Sequence, residues 1–387
     1  MILRASVYFC LVLCSIILLP PLCSTAQTWT LLPTLSLSGQ YDDNVFFVAE
    51  DEDEDDDYAS IVQPSVTLGY QSELTRLSAV GDVTFLNYLE ETDLDTTKYR
   101  FRLNGDTRLT ERFIVNADFR YIRDTLLDSE LEETGRVFDS EDRDRYNAGG
   151  GMQFNLTELS SFGASYDYSH TDYDEEGRED RDFHTVGAFY RRSFNEGRDS
   201  LSIRPAYRFR DSDTVETDNY MLRLGWSHQS SEIGRLTVLA GGRYTEEWRS
   251  GQDKIDNSGF VAEVDYEKEG LISSFRLGYR RDINYDANDR LREIDHISAR
   301  FNYKLTERLR FGLDGNLYFT RRERDTDDQD TRFFSIRPLL AYYFTENHSL
   351  QLSYKYSQEF DESRTGDETA DRNQAMLTLV FRFPQEL

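Results

Sequence analysis

Apolar and polar residues alternate with period two over segments of about twelve residues, and this recurs along nearly the whole chain. At the C-terminal end, Leu377, Leu379, Phe381 and Phe383 form one wholly apolar set, while Met376, Thr378, Val380 and Arg382 form the other. Between Arg112 and Tyr121, Phe113, Val115, Ala117, Phe119 and Tyr121 oppose Arg112, Asn116, Asp118 and Arg120. Further along, Leu201, Ile203, Pro205, Tyr207 and Phe209 oppose Ser202, Arg204, Arg208 and Arg210. Successive side chains of a strand point to opposite faces, so period two means strand; a helix would scatter the same residues around its circumference.

The connections between these segments alternate in kind. One kind is short: "LTER" at 109–112 and again at 305–308, "LTEL" at 156–159, "NEGRD" at 195–199 and "FTEN" at 344–347. The other kind is longer and acidic: 42–57 holds ten acids and no base, and 124–144 holds nine acids and two bases. Short and long ends in alternation mark an up-and-down antiparallel sheet with its long loops at one rim. The pattern predicts eighteen strands, from 30–41 and 58–70 at the start to 347–359 and 372–383 at the end. Sixteen is the alternative if one hairpin is misread. An even number places both termini on the short-turn side.

An apolar sheet face has to be buried, against a second sheet or against lipid. Three features favour lipid. The strands are long enough for the ~9–11 residues that a tilted membrane strand needs, whereas soluble strands average nearer five or six. The opposite face carries mid-strand charge, chiefly arginine, of which the chain has 39 against 5 lysines. Aromatics sit at both ends of the apolar stripes, as in the girdles that bound a membrane-height band. The expected fold is therefore all-β, one closed up-and-down antiparallel transmembrane β-barrel. Closure removes the sheet edge, whose backbone groups lipid would leave unsatisfied.

The first 26 residues differ from the rest. Arg4 precedes an uninterrupted apolar stretch, and Ser24 and Ala26 occupy the small-residue positions of a cleavage site, so 1–26 reads as a secretory signal peptide and 27–387 as a single barrel domain. A lipoprotein signal at Cys23 is the alternative; Pro21 and Leu22 stand before that cysteine where small residues are wanted. All three cysteines, Cys10, Cys14 and Cys23, lie in the leader, which excludes a disulfide framework, a thiolate metal site and a thiol nucleophile from the mature chain. The net charge of −28 would suit a disordered chain, but 24 Tyr and 25 Phe do not. A barrel reconciles the two, because only every second strand residue meets lipid.

"LLPTLSLSGQYDDNVFF", a Pro-led first strand running into Tyr41–Phe46, resembles the putative β-barrel porin 2 family of Gram-negative outer-membrane proteins, and is similar to barrels associated with exopolysaccharide and exosortase systems. The resemblance implies an outer-membrane location and, as in some members, secretion of a surface polysaccharide. A periplasmic polysaccharide-export protein would then be the partner, alongside outer-membrane lipid and lipopolysaccharide. Phe381 and Phe383 resemble the terminal-strand signal that the barrel-assembly machinery reads, although "PQEL" follows here. The family brings no catalytic residues.

The candidate site is the lumen. Arg204, Arg208 and Arg210 lie on inferred inward faces, as do Arg223, Arg235, Arg243, Arg276 and Arg280. Glu263, Asp265 and Glu267 stand on one strand between them. Fixed charges of this kind orient a polar or anionic solute in a pore; equally, they could pair across strands and stiffen the wall. Tyr88 and Tyr318 fall out of phase with the lipid face and are candidates for carbohydrate contact. The acidic run 50–57 lacks the Gly and spacing of a calcium loop. His348 beside Ser349 and His296 beside Asp295 are strand neighbours that point to opposite faces, so neither forms a catalytic dyad and no enzyme is expected. No cofactor or metal spacing is present, and the charge sign argues against nucleic acid. Three functions fit. The leading one is a conduit that exports a polar polymer, namely an exopolysaccharide. The others are a general or solute-selective diffusion porin, and a structural surface barrel with acidic partner- or cation-binding loops. The 124–144 loop is the candidate to fold in and narrow the pore.

Overall fold

The computed structural model describes residues 27–49, 55–127, 141–174, 178–212, 214–249, 251, 254–285, 291–322, 330–363 and 366–386. The leader expected at 1–26 and the acidic residues 50–54 lie outside these. Eighteen long antiparallel strands run from β1 (Thr28–Asp42) to β18 (Gly366–Arg382), each paired with its sequence neighbour. The sheet closes where β1 pairs with β18, from Thr34 opposite Arg382 to Asp42 opposite Gln374. A two-residue β19 (Gln385–Glu386) extends this seam along Thr30 and Leu31. The strands are 13–17 residues long. The expected starts and ends lie within a few residues of those observed, with the largest difference at β18, expected from 372 and found from Gly366.

The eight short connections share one end of the barrel with the start of β1 and the end of β18. Their recurring threonine has a local cause. The Thr110 hydroxyl accepts from the backbone N–H of Arg112 and Phe113 at 3.3 and 3.0 Å. Thr306 does the same for Arg308 and Leu309, and Thr345 for Asn347 and His348. A hydroxyl that satisfies the turn's own amides closes a tight return. In the 195–198 return, Asn195, Glu196 and Gly197 all take positive φ, and Gly197 at +85° is where a side chain would be strained.

At the opposite rim two expected loops are shorter than the sequence suggested. β17 (His348–Ser363) and β18 leave only residues 364–365 between them, and β9 (Asp199–Asp211) and β10 (Val215–Ser231) leave 212–214. Beyond the bilayer, strand pairing needs no apolar stripe, so acidic residues such as Glu359 and Asp371 sit in ladders rather than loops.

Outward positions carry the apolar set. Val66, Phe162, Val186, Ile203, Leu222, Leu224, Phe260, Leu352 and Leu377 are all exposed on the surface of the isolated chain, the area that lipid would cover. Aromatic contacts mark the rims: Tyr207 with Tyr220 and Tyr220 with Tyr244 on one side, Phe154 with Phe162 and Tyr342 with Phe344 on the other.

The interior departs from an empty cylinder. β12 (Ile255–Glu269) pairs with β13 (Ser273–Tyr285) only from Glu269–Ser274 to Ala262–Arg281, whereas β13 remains paired with β14 (Leu291–Lys304) up to Tyr285–Leu291. Above Arg281 the β13–β14 end has left the wall and bends into the lumen. The Tyr285 ring lies 4.0 Å beneath the Arg210 guanidinium and 6.1 Å from the Phe183 ring, and Arg181 donates to the Tyr285 carbonyl at 3.3 Å. Arg181 and Phe183 belong to β8 (Arg181–Phe194), so the bent end reaches across the inner faces of four intervening strands. Arg243 on the inner face of β11 (Gly234–Arg249) lies 3.9 Å from Glu293 of the bent end. Two connections also turn inward. Phe47, after β1, and Leu127, after β5 (Phe113–Thr125), are buried in a cluster with Ile294, Tyr318, Phe333 and Ala370. Leu126 and Leu127, at the start of the 124–144 loop, are buried, while 128–140 lie outside the described residues.

Candidate functional site

Period-two alternation places the polar set on the inner wall, but neighbouring structure divides that wall into two environments. Along β4 (Thr96–Arg108) and β5, inward Arg102, Asn104, Asn116, Asp118 and Arg120 are exposed to solvent. On the β9–β11 side, Arg210 and Arg243 point inward as expected but are covered by the bent β13–β14 end, at 1% and 4% exposure. They line a packed inner layer rather than open water, a difference that the sequence of their own strands could not reveal.

The remaining lumen holds discrete cavities. One, about 470 Å³, sits under the bent end and takes in Arg143, Arg145, Arg181, Arg208 and Arg280 against, among the described residues, one lining carboxylate, Asp282. A second, about 340 Å³, is lined by Arg276, Arg300, Arg337, Lys355 and Asp314. A third, about 270 Å³ and nearer the short turns, is lined by Arg191, Arg198, Arg204 and Arg235 among serines and threonines. Tyr318 borders the first two and stacks flat on His296, with ring centroids 4.0 Å apart. Of the two out-of-phase tyrosines, Tyr318 therefore borders the lumen cavities, at 4% exposure. Tyr88 lies opposite Ala59 at the end of β3 (Thr75–Tyr88), away from these cavities.

Some wall charges pair. Glu267 meets Arg276 at 3.2 Å, Glu263 lies 3.8 Å from Arg223, Arg280 meets Asp282 at 2.9 Å, and Asp314 takes both Arg300 and Arg337 at 2.6 and 3.3 Å. Asp265 stands between Glu263 and Glu267 on the same inner face of β12. Arg191, Arg204, Arg208 and Arg235 have no carboxylate within 4 Å among the described residues. These four belong to β8, β9 and β11, so one arc of the wall is rich in arginine, with Glu263 acting on Arg204 and Asp282 on Arg208 from beyond ion-pair distance. Arg143, Arg145, Arg181 and Arg191 were not singled out from the sequence, although Arg143 and Arg145 follow the same alternation through "DRDRYN".

Other candidates take structural places. Asp57 of the acidic run accepts the backbone N–H groups of Glu90 and Glu91 at 3.0 and 2.9 Å, which fastens one loop to another. His296 faces Asn316 at 3.1 Å, while Asp295 accepts from Tyr279 at 2.6 Å on the other face of β14. The Phe383 backbone N–H donates to Pro33 at 2.9 Å just past the end of β18, and the His348 ring lies against Phe381 and Phe383.

A closed barrel of eighteen strands, apolar outside, aromatic at its rims and charged within, is an outer-membrane barrel of the porin type. Comparison with known proteins gives likenesses to porins. The family model described as "Putative beta-barrel porin 2", the family that the Tyr41–Phe46 motif resembles, matches residues 21–199. A second model, "Putative MetA-pathway of phenol degradation", matches residues 256–370. No curated protein matches. Among solved structures, the chain is similar to the outer-membrane protein OpdK of Pseudomonas aeruginosa, with 11% identity over 92% of this chain and 99% of that one and a TM-score of 0.44. It is also similar to OccK2 (OpdF) of Pseudomonas aeruginosa, with 12% identity, 93% and 98% coverage and a TM-score of 0.46. A BenF-like porin of Pseudomonas fluorescens Pf-5 has 13% identity, 94% and 100% coverage and a TM-score of 0.47.

Proposed function

We propose that this barrel is a diffusion porin that favours small anionic solutes. One observation carries the reading: a chain of net charge −28 gathers Arg191, Arg204, Arg208 and Arg235 on one arc of its inner wall, none with a carboxylate within 4 Å among the described residues. Charge of one sign inside a low-dielectric wall raises the local concentration of the opposite sign. Acids are dense in the sequence of the long connections, as in 42–57 and 124–144, and charges in water are screened within about 8–10 Å at ordinary ionic strength.

This reading displaces polymer export as the leading function. The segments after β1 and β5 and the bent β13–β14 end occupy the lumen and leave cavities of about 270–470 Å³, which suit small solutes. A continuous polysaccharide chain would need those segments to leave together, and its periplasmic export partner belongs to that alternative. A strain lacking the gene should release normal surface polymer.

The direct experiment is bilayer electrophysiology in a potassium chloride gradient. The reversal potential should show preference for chloride. Arg204→Glu combined with Arg208→Glu should move it toward potassium while the barrel stays folded. Cation preference in the unsubstituted protein, or no shift in the double variant, would overturn the reading.

A further inference from the structure

Residues Ile255–Val261 of β12 pair with β11 on one side, from Glu247 opposite Ile255 to Gly241 opposite Val261. On the other side they have no strand partner among the described residues, because β13 has left the wall. Such an edge leaves a row of backbone groups unpaired in the barrel wall, a liability that lipid does not relieve. The register already set by Ala262 opposite Arg281 identifies what would complete it. Continued along the strand, it puts Asp282, Ile283, Asn284 and Tyr285 opposite Val261, Phe260, Gly259 and Ser258. Period two keeps the faces in phase. Ile283 would lie beside Phe260, which is 55% exposed on the outward side, and Asn284 would face the lumen beside Gly259.

In the rolled-in position the same four residues are held by side-chain contacts instead of a ladder with β12. Tyr285 lies under Arg210 and beside Phe183, Arg243 stands 3.9 Å from Glu293, and Arg208 acts on Asp282 from beyond ion-pair distance. Ile283 and Tyr285 share the phase of outward Leu277 and Tyr279, yet both are buried against the inner wall. One face of the strand thus has two places where it is covered. We propose that the β13 end is a two-position gate. Rolled in, as here, it narrows the lumen and leaves the β12 edge open. Zipped onto Val261–Ser258, it returns to the wall and uncovers Arg210 and Arg243 to the pore. The move exchanges ring and charge contacts for backbone pairing, so a small bias shifts the population between the two positions. It goes beyond the anion-pore reading, since it sets the width of the lumen and not the ion that the lumen prefers.

The test uses the full barrel in lipid. Beyond Cys23 the chain has no cysteine, so an engineered pair reports strand position directly. Gly259→Cys with Asn284→Cys sets two thiols opposite each other in the wall position, whereas in the rolled-in position Asn284 lines the cavity with Arg181, Phe183 and Arg208. Asp265→Cys with Gly278→Cys, already opposite on the same ladder, is the control for oxidation. Copper phenanthroline should close the 259–284 disulfide in the folded barrel, more slowly than the control because only the wall position reacts. In planar bilayers the oxidised channels should stay at one high conductance, and dithiothreitol should return them to a lower main level. Arg210→Met, which keeps the bulk and removes the cation above Tyr285, gives a second variant without cysteines. It should raise the ratio of time spent at high against low conductance by about tenfold, the loss of one desolvated cation–π contact. No 259–284 disulfide under conditions that close the control would overturn the gate. So would a disulfide that leaves conductance unchanged, or one identical conductance level in the unsubstituted barrel and in Arg210→Met. Crosslinking needs no current and the reversal potential reads ion preference, so failure of the gate and failure of the anion-pore reading are told apart.

Discussion

At the scale of single residues, Asp42 and Arg372 fasten the barrel seam. Asp42 is fully buried and Arg372 is 6% exposed, and both carboxylate oxygens accept from the guanidinium. Gln374 donates to the same carboxylate at 2.7 Å, and the next residue, Asp43, accepts the Asn373 side-chain amide at 2.7 Å. Asn44 then donates to the Asp371 carbonyl at 3.0 Å and accepts the Val48 N–H at 2.9 Å. The Tyr-Asp-Asp-Asn motif therefore ties the top of β1 to the top of β18, 330 residues away, and so has a physical role in this chain. Removing one member of a buried pair leaves an uncompensated charge, typically at a cost of about 3–5 kcal/mol. Arg372→Ala should lower urea stability of the refolded barrel by that order, and the double variant Asp42→Asn with Arg372→Gln should be milder. Equal loss in single and double variants would show that the pair is not the source. The motif was legible as a signature, but its partner was not, since nothing in "DRNQ" at 371–374 marks it from a distance.

At the scale of elements, a strand's identity followed from its own alternation, and so did its facing. Leu379 and Arg382 stand out of phase on β18, opposite Leu37 and Thr34 of β1. Leu379→Arg puts a charge against lipid and should cost about 2–4 kcal/mol near the bilayer midplane. Arg382→Leu should cost much less, and equal losses in equilibrium unfolding would contradict the assigned facing. The bent end of β13–β14 was not legible. β13 alternates through Tyr285 as smoothly as any other strand, and its departure from β12 is a matter of which partner it keeps. Tyr285 anchors the bend on Arg210 and Phe183. Tyr285→Ala should loosen it and raise single-channel conductance, with the anion preference retained because Arg204 and Arg235 are untouched. Unchanged conductance would mean that the bend does not limit flow.

For the whole molecule, polar and apolar groups are sorted: arginines and acids together on the inner wall, apolar side chains toward lipid. Such a barrel should fractionate with the outer membrane of a Gram-negative host and migrate differently on a gel when left unheated. The leader assignment adds that the membrane form should begin at Gln27, which N-terminal sequencing reads directly. Recovery of the folded chain from the soluble periplasm would contradict the membrane placement, and an intact Met1 would contradict the leader.

The sequence by itself determined the strand count, the strand boundaries to within a few residues and the closed topology. These rest on local rules: period two sets the facing, tight turns carry their own hydroxyl caps, and an apolar face in a sheet without a second layer requires lipid. Only the tertiary structure decided what occupies the lumen. Whether Arg210 and Arg243 meet water or lie beneath Tyr285 and Glu293 depends on a hairpin from the far side of the wall. Whether Phe47 and Leu127 point out or in depends on the apolar cluster formed by Ile294, Tyr318, Phe333 and Ala370, contributed by four separate strands. The physical reason is that facing is a property of one strand, whereas the filling of a barrel is set by contacts between residues hundreds of positions apart, and no periodicity within a segment records them.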